Sequence, residues 1–450
     1  MCAAEVGKTV AVIGAGWAGC SAAIELSNAG CQVTLLEAAR TLGGRARGVH
    51  LHGTQLDNGQ HILLGAYKES LRMLELVGID AASALLNLPL QMRYPFNSGG
   101  MDFVAPRLPA PLHLVGALLR ARGLSAADRM ALARFSSTAR WMGWRLKQDC
   151  SVSELLDRYD QSAKITALMW RPLCLAALNT PPECASANVF LAVLRDSLGA
   201  ERRASDMLLP RTDLSSLFPA AAARLLERRG NSVRSGAKVS SLKLHKGGKW
   251  QVDVSGTAVG GTWMAYFDAV IVATPPAAAA VLLHDLPAMR ELVAQLTGFA
   301  YEPITTCYLK YPAGTRLALP FYALLDDPTI GNWGQFVFDR GQLDTSQDGV
   351  LSVVVSASDA AATLPQAVLA EALAKQLARV FQRPELGKPE WVQVITEKRA
   401  TFACTPGLQR PRNGTGVPGL SLAGDYTHGE YPATLEGAVR SGVLAAQSLF

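Results

Sequence analysis

The sequence predicts an α/β fold built around a parallel sheet, and two stretches of the chain carry this prediction. Residues 9–37 read as a buried strand, a glycine-rich turn, a helix, a second strand and an acid. Residues 420–449 read as a strand that ends in Gly424-Asp425, followed by a helix. Strands that alternate with helices form parallel sheets with helices on their faces. The 450 residues, 49% of them hydrophobic, suffice for two domains.

The first stretch has the order of elements that a dinucleotide-binding unit requires. The turn Gly14-Ala15-Gly16-Trp17-Ala18-Gly19 follows the first strand and opens the helix. Its first glycine permits the bend, its second lets a pyrophosphate approach the backbone, and its third lets helix and strand pack closely. Glu37 ends the second strand, where its carboxylate can accept hydrogen bonds from ribose hydroxyls and would repel a 2′-phosphate. The stretch therefore predicts FAD or NAD rather than NADP, and an ordinary glycine turn is the alternative.

Polar residues that follow Glu37 extend this predicted site. Gly43-Gly44-Arg45 offers a backbone that a ligand can approach closely and a guanidinium that suits phosphate. The segment Asp57-Asn58-Gly59-Gln60-His61 is either an Asx-type turn or a polar cluster beside the cofactor, and the pattern alone favours neither. His50, His52 and His61 lack the carboxylate or thiolate partners that would complete a metal site, so no metal is predicted.

The composition bears on partners and compartment. The net charge of +6 is modest and is not concentrated in basic runs with interleaved aromatic residues, which argues against nucleic-acid binding. An anionic membrane surface stays open as a partner. The eight cysteines contain no CxxC pair and are typical of a reduced, cytoplasmic protein. Every long apolar run is interrupted by proline or glycine, so no membrane-spanning helix is predicted.

A helix over residues 112–119 has two possible explanations. Its apolar residues cover about half of a helical wheel, opposite His113 and Arg120. Packing of that face into the core is the usual explanation. Contact with a membrane surface is the alternative, because Arg107, Arg120 and Arg122 flank the segment.

Further elements follow from periodicity and turn residues. Helices are predicted over 217–229, 366–381 and 435–449, the last with Thr434 as its N-cap. Strands are predicted within 232–239 as a pair, and over 249–254, 263–267, 268–274 and 351–356.

These motifs together resemble the FAD-dependent amine oxidase and phytoene desaturase superfamily. The shared features are the glycine turn with Glu37, the Gly43-Gly44-Arg45 motif, the strand end at Ala273-Thr274-Pro275 and the C-terminal Ala423-Gly424-Asp425. Within the superfamily, residues 57–61 and 431–442 are similar to the squalene-associated group, the hydroxysqualene dehydroxylases. Residues 426–430 depart from that group, which usually has a shorter Trp-Thr-Asp-like stretch, and this leaves the local roles of Tyr426 and His428 open.

The resemblance implies a discontinuous Rossmann-type FAD-binding domain and a mixed α+β substrate domain. The first would comprise residues 1–84, 206–284 and 396–450, and the second residues 85–205 and 285–395. The implied FAD contacts are Gly14, Ala15, Gly16, Trp17, Ala18, Glu37, Ala38, Gly43, Gly44, Arg45, Val239, Gly424, Asp425, Ala433, Thr434 and Leu435. The helix after Thr434 would direct its positive end at the flavin, which carries negative charge when reduced.

The reaction implied by the resemblance is reductive: hydroxysqualene loses its hydroxyl, gains a hydride and becomes squalene, in hopanoid synthesis. Asp57 and His61 are the candidates for acid catalysis or polar positioning. An apolar isoprenoid substrate, an unidentified electron donor and peripheral contact with the inner face of the cytoplasmic membrane are expected. A desaturase or amine oxidase that runs in the oxidative direction, and a flavin-free isoprenoid-binding protein, are the alternatives.

Overall fold

The structure is a computed structural model that describes residues 7–95, 98–199, 201–256 and 261–449. Its strands are β1 (Thr9–Ile13), β2 (Gln32–Leu36), β3 (Gly48–Leu51), β4 (Thr54–Asp57), β5 (Leu63–Leu64), β6 (Leu85–Leu88), β7 (Gln91–Arg93), β8 (Asp102–Val104), β9 (Met207–Pro210), β10 (Ser232–Arg234), β11 (Lys238–Leu244), β12 (Trp250–Gly256), β13 (Gly261–Phe267), β14 (Ala269–Val272), β15 (Tyr301–Lys310), β16 (Phe321–Ala323), β17 (Phe336–Asp339), β18 (Val350–Ser356), β19 (Trp391–Phe402) and β20 (Leu420–Leu422). Its α-helices are α1 (Trp17–Asn28), α2 (Lys68–Leu76), α3 (Ala81–Ala84), α4 (Leu112–Arg120), α5 (Ala126–Trp141), α6 (Val152–Arg158), α7 (Ala163–Ile165), α8 (Arg171–Leu178), α9 (Ala187–Leu198), α10 (Leu214–Leu217), α11 (Pro219–Arg228), α12 (Pro276–Leu283), α13 (Arg290–Thr297), α14 (Asp359–Ala362), α15 (Gln366–Val380) and α16 (Leu435–Gln447).

The predicted parallel sheet is confirmed. Its strand order is β10-β2-β1-β14-β20, and every neighbouring pair is parallel. The central strand β1 is almost fully buried, as an apolar strand covered on both faces should be. Helices α1 and α16 pack against each other so closely that a Cβ on Gly442 would lie 2.1 Å from the carbonyl oxygen of Ala18. The first and last motifs of the sequence are therefore neighbours in space.

A second, antiparallel sheet provides a separate surface. Its strand order is β16-β17-β18-β15-β19. One face packs against α15, through buried residues such as Leu373 and Leu377 that share a cluster with Cys307 and Leu309. The other face contributes its aromatic residues to the largest buried cluster of the molecule. Smaller antiparallel sheets, β11-β12-β13, β5-β9-β6, β3-β4 and β7-β8, surround these two.

Most predicted elements agree with the structure, and one helix begins two residues later than predicted. The helix predicted over 217–229 is α11, and the separate short helix α10 ends at Leu217, just before it. Pro219 disfavours the helical conformation of the residue before it, and Phe218 accordingly has φ of −135° and ψ of −60°. Of the eight cysteines, Cys2 lies outside the described residues and the others are free thiols.

Much of the apolar face of helix α4 is exposed and does not pack into the core. The buried residues of α4 are His113 and Ala117, while Leu112, Val115 and Leu119 are 55%, 49% and 69% exposed. Core packing, the usual explanation of such a pattern, is wrong for these three side chains. Over the described ranges, no helix has the length and apolar character needed to cross a bilayer.

Candidate active site

The turn between β1 and α1 depends on two glycines. Gly14 has φ of +103°, and a Cβ at this position would lie 2.6 Å from the carbonyl oxygen of Ala273. A Cβ on Gly19 would lie 1.8 Å from the carbonyl oxygen of Gly14. Gly14 therefore permits the bend, and Gly19 permits the contact between helix and strand, as the spacing of the motif predicts.

Gly16 differs from these two, because the protein itself does not require a glycine there. Its φ is −72°, and the atoms nearest to a Cβ at this position would be Gly43 O and Gly44 Cα, both 4.0 Å away. The N–H of Gly43 donates to the carbonyl oxygen of Ala15 at 2.9 Å and holds the second glycine segment opposite the first. The space between the segments adjoins the N-terminus of α1, so it fits a pyrophosphate.

Glu37 lies where the ribose is expected. Its Oε2 accepts the N–H of Ala15 at 2.8 Å, and its Oε1 accepts the N–H of Ala39 at 2.8 Å. A carboxylate oxygen can accept two hydrogen bonds, so each oxygen keeps one position for a ribose hydroxyl. The N–H of Ala237 donates to the carbonyl oxygen of Glu37 at 2.8 Å, which places the start of β11, including Val239, against this turn.

The loop between β20 and α16 lies at the same edge of the parallel sheet. Asp425 is 6% exposed, and its carbonyl oxygen accepts the N–H of Ala433 at 3.2 Å. The hydroxyl of Thr434 accepts the N–H of Gly437 at 2.9 Å and caps α16, which begins at Leu435 as predicted. Ala433 has φ of +58°, a conformation that costs a residue with a Cβ about 1–2 kcal/mol. Such strain is typical of functional loops.

Arg45 connects this loop to the rest of the site. Its Nη2 donates to Asp425 Oδ1 at 2.5 Å, and its Nη1 donates to the carbonyl oxygen of Ala400 at 2.7 Å. The hydroxyl of Tyr426, which interacts electrostatically with this ion pair, is buried without a hydrogen-bond partner in the described chain. Buried polar groups of this kind are costly unless a ligand satisfies them. The residues present therefore fit a large polar cofactor, and a phosphate contact of Arg45 stays a prediction.

Asp57 belongs to a buried polar network. Its Oδ1 accepts the N–H of Leu214 at 2.8 Å, and its Oδ2 lies 3.9 Å from Nη2 of Arg340. The Tyr308 hydroxyl donates to the carbonyl oxygen of Asp57 at 2.8 Å and accepts a hydrogen bond from Gln60 Nε2 at 2.8 Å. The side chain of Asp57 is only 3% exposed. Burial raises the pKa of Asp57 to about 7, although Arg340 lowers it.

His61 lies on the same turn but has different partners. Its Nδ1 is 3.0 Å from the carbonyl oxygen of Gly59. Because a carbonyl only accepts, Nδ1 carries the proton, and Nε2 of the neutral ring is an acceptor. Burial, together with the charge of Arg45, lowers the pKa of His61, which favours this neutral form. In the described structure, Asp57 and His61 make no hydrogen bond to each other.

The face of the antiparallel sheet opposite this turn is apolar and aromatic. Thr306, Val354 and Phe336 are in register across three strands, so their side chains share one face. Phe321 lies on the same face, with its ring centroid 5.7 Å from that of Phe336 and 5.0 Å from that of Phe338. These three aromatic rings are buried in a large hydrophobic cluster, so this face of the sheet is apolar.

The structure brings most of the predicted residues together and adds some that the sequence did not indicate. The turn at Gly14–Ala18, Glu37 with Ala38, Gly43–Arg45 and the loop at Gly424–Leu435 surround one edge of the parallel sheet. Thr306, Tyr308 and Arg340 were missed, because no local motif marks them. His52 stacks on Trp391 with 4.7 Å between the ring centroids. No group of metal-ligating side chains that could hold an ion occurs among the described residues.

A family profile now accounts for this arrangement. The profile described as flavin containing amine oxidoreductase matches residues 17–449. The chain belongs to the flavin-containing amine oxidoreductase family. It is thus an oxidoreductase whose cofactor is FAD, and the fold class and cofactor predicted from its motifs are confirmed.

Individual relatives refine this placement. Hydroxysqualene dehydroxylase from Sinorhizobium fredii is 33% identical, in an alignment that covers 98% of this chain and 97% of the relative. Zeta-carotene desaturase from Synechocystis is 24% identical, with 98% and 96% of the two chains covered. The crystal structure of an oxidoreductase from Methanosarcina mazei superposes with a TM-score of 0.71 at 18% identity, covering 98% of this chain and 100% of that one, and shows the same fold.

Proposed function

We propose that the protein removes the hydroxyl group of hydroxysqualene reductively and forms squalene, as a step of hopanoid biosynthesis. The observation that carries the proposal is its full-length similarity to a hydroxysqualene dehydroxylase, which exceeds its similarity to a carotene desaturase. In this reaction the substrate gains one hydride and one proton and loses one molecule of water. Two electrons are consumed per squalene, so a separate electron donor is required.

The residues of the chain contribute binding, positioning and exclusion of water. Bound FAD, when reduced, supplies the hydride. The surface that includes Phe321, Phe336 and Phe338 binds the isoprenoid chain, and its aromatic rings attract an electron-poor allylic centre as C–O cleavage proceeds. Burial of this surface keeps water from the reacting carbon.

Asp57 and His61 take different parts in this proposal. His61 presents Nε2 as a hydrogen-bond acceptor beside the cofactor site. Asp57 is a positioning residue: through Tyr308 it fixes Gln60 and the turn that carries His61. Its carboxyl group bonds the backbone of Leu214 and so ties this turn to α10.

We further propose that the protein meets a membrane surface through α4 and the segment before it, at the inner face of the cytoplasmic membrane. A C30 hydrocarbon partitions into bilayers, so an enzyme acting on it gains by taking it up there. Leu112, Val115 and Leu119 form an exposed apolar face, in a helix that does not span a membrane. Residues 103–127 contain Arg107, Arg120 and Arg122 and no acidic residue, which complements anionic headgroups.

Product analysis tests the direction of the reaction. The reduced protein is incubated without oxygen with hydroxysqualene, and the oxidised protein with squalene. The proposal predicts that the first mixture yields squalene and that the second yields no new lipid. A desaturated or hydroxylated product from the second mixture, with no squalene from the first, would assign the protein to the oxidative class.

A further inference from the structure

We propose that Thr306 and His61 form a subsite that binds the hydroxyl group of the alcohol substrate and thereby distinguishes the substrate from the hydrocarbon product. The inference rests on the proposed function, because it assumes that the substrate is an apolar alcohol. It assigns a role to Thr306, whose side chain no sequence motif marks.

The first observation is the state of the Thr306 hydroxyl. Thr306 is 1% exposed, and its Oγ1 has no hydrogen-bond partner within the described chain. Leaving a buried hydroxyl unpaired costs about 1–3 kcal/mol. Valine has nearly the same shape and no such cost, so a threonine at this position indicates a partner that comes from outside the chain.

Hydroxyl groups of neighbouring residues on β15 do have hydrogen-bond partners, so the unpaired hydroxyl is particular to Thr306. Tyr308 lies two residues further on the same face, and its hydroxyl bonds both Asp57 and Gln60 of the turn. Thr305 lies on the opposite face, and its hydroxyl bonds Ser358 at 3.0 Å and Thr396 at 2.9 Å. The hydroxyls of Thr305 and Tyr308 thus both have hydrogen-bond partners, whereas the Thr306 hydroxyl has none within the described chain.

The second observation is the space beside Gly59. A Cβ on Gly59 would lie 3.8 Å from Thr306 Oγ1 and 4.0 Å from His61 Cε1, with no nearer atom. Gly59 does not have the positive φ that would require glycine. The fold therefore has room for a Cβ here, and the glycine leaves open a volume of about one methyl group that the Thr306 hydroxyl and the His61 imidazole flank.

The chemistry of the two groups matches one alcohol. His61 Nε2, which is bonded to Cε1, is an acceptor when Nδ1 donates to Gly59, and it can take the hydrogen of the alcohol. The Thr306 hydroxyl can donate to the oxygen of the same alcohol. A bound hydroxyl would satisfy both groups, whereas squalene would leave both unpaired and dissociate more readily.

The position of Thr306 within the apolar surface supports this assignment. Thr306 is in register with Phe336 across Val354, so its hydroxyl borders the aromatic face proposed for the isoprenoid chain. A polar group at the border of an apolar surface fixes the orientation of a ligand that is otherwise hydrocarbon.

A competition experiment tests the subsite. The oxidised holoenzyme, which lacks the electrons for turnover, is mixed with equal amounts of hydroxysqualene and squalene in detergent, and the retained lipids are quantified after gel filtration. The wild type should retain the alcohol preferentially. Thr306→Val should lower the ratio of retained alcohol to hydrocarbon by about 3- to 10-fold, the effect of one neutral hydrogen bond, and Thr306→Ser should keep the wild-type ratio.

Thr305→Val is the matched control, because it removes the same group from the other face of the strand. It should lower Tm through its two lost hydrogen bonds and leave the ratio unchanged, whereas Thr306→Val, which removes an unpaired hydroxyl, should keep or raise Tm and leave FAD content unchanged. An equal fall of the ratio in both variants, an unchanged ratio in Thr306→Val, or a wild-type ratio near one would overturn the subsite. Loss of FAD from Thr306→Val would assign the hydroxyl to the cofactor and also overturn it. A wild type that retains neither lipid would instead contradict the proposed function itself.

Discussion

The exposed face of α4 gives a quantitative prediction for membrane binding. Leu108, Leu112, Val115 and Leu119 are 41%, 55%, 49% and 69% exposed. Together they expose about two whole side chains, which is worth about 3–6 kcal/mol on transfer to an apolar phase. The double substitution Val115→Glu and Leu119→Glu removes more than half of this and places two negative charges against anionic headgroups, at about 1 kcal/mol each. We expect a loss of about 4 kcal/mol, or about 10³-fold in the partition coefficient.

Flotation with vesicles measures this directly. The holoenzyme should float with phosphatidylglycerol vesicles, more weakly with phosphatidylcholine vesicles, and less as salt is raised. The control is Val281→Glu with Leu444→Glu, which makes the same chemical changes at residues that are 74% and 49% exposed on α12 and α16. This control should lose little binding, because it leaves α4 intact.

Two results would refute the reasoning. If the wild type stays at the bottom of the gradient with anionic vesicles, the apolar face of α4 does not bind membranes. If the α4 variant and the control lose binding equally, the effect comes from net charge and not from this helix.

Three further predictions concern the site. Glu37→Ala should weaken FAD binding by about 1–3 kcal/mol, measured by titration of the apoprotein, and an unchanged affinity would remove Glu37 from the ribose site. His61→Ala should keep FAD and lower turnover by about 10²-fold, and full turnover would make the segment an ordinary turn. Burial raises the folded-state pKa of Asp57 from 3.8 to about 7, so between these values the folded state binds more protons and the free energy of unfolding falls as pH rises. Asparagine does not ionise, so the stability of Asp57→Asn should rise relative to that of the wild type from pH 5 to pH 7, by up to about 1.4 kcal/mol per pH unit. Denaturant titrations measure this, and a difference in unfolding free energy between the two proteins that does not change with pH would contradict the raised pKa of Asp57.

The parts of the site that the sequence predicts are those made by local chain geometry. The bend at Gly14 and the packing of Gly19 depend on residues within one strand, one turn and one helix, so their spacing alone carries the information. The cap at Thr434 is equally local. Each of these lies where its pattern predicts.

The remaining features depend on contacts between distant segments. Tyr308 and Arg340 meet Asp57 only after β15 and β17 have joined the antiparallel sheet, and neither has a local motif. The sequence left both explanations of the α4 face open, because an apolar stripe has the same period whether it is buried or exposed; only the tertiary structure shows that His113 and Ala117 pack inward. The division into two discontinuous domains stays a prediction, and β19, which runs from Trp391 to Phe402, crosses the predicted boundary at 395/396.

A single-turnover measurement tests the central claim most directly. The FAD of the purified holoenzyme is reduced stoichiometrically without oxygen, hydroxysqualene is added, and flavin absorbance and extracted lipids are followed together. Reductive dehydroxylation predicts that one squalene forms per FAD reoxidised, and that no reoxidation occurs with squalene as the added lipid. Reduced FAD that persists in the presence of hydroxysqualene, with the alcohol recovered unchanged, would contradict the account.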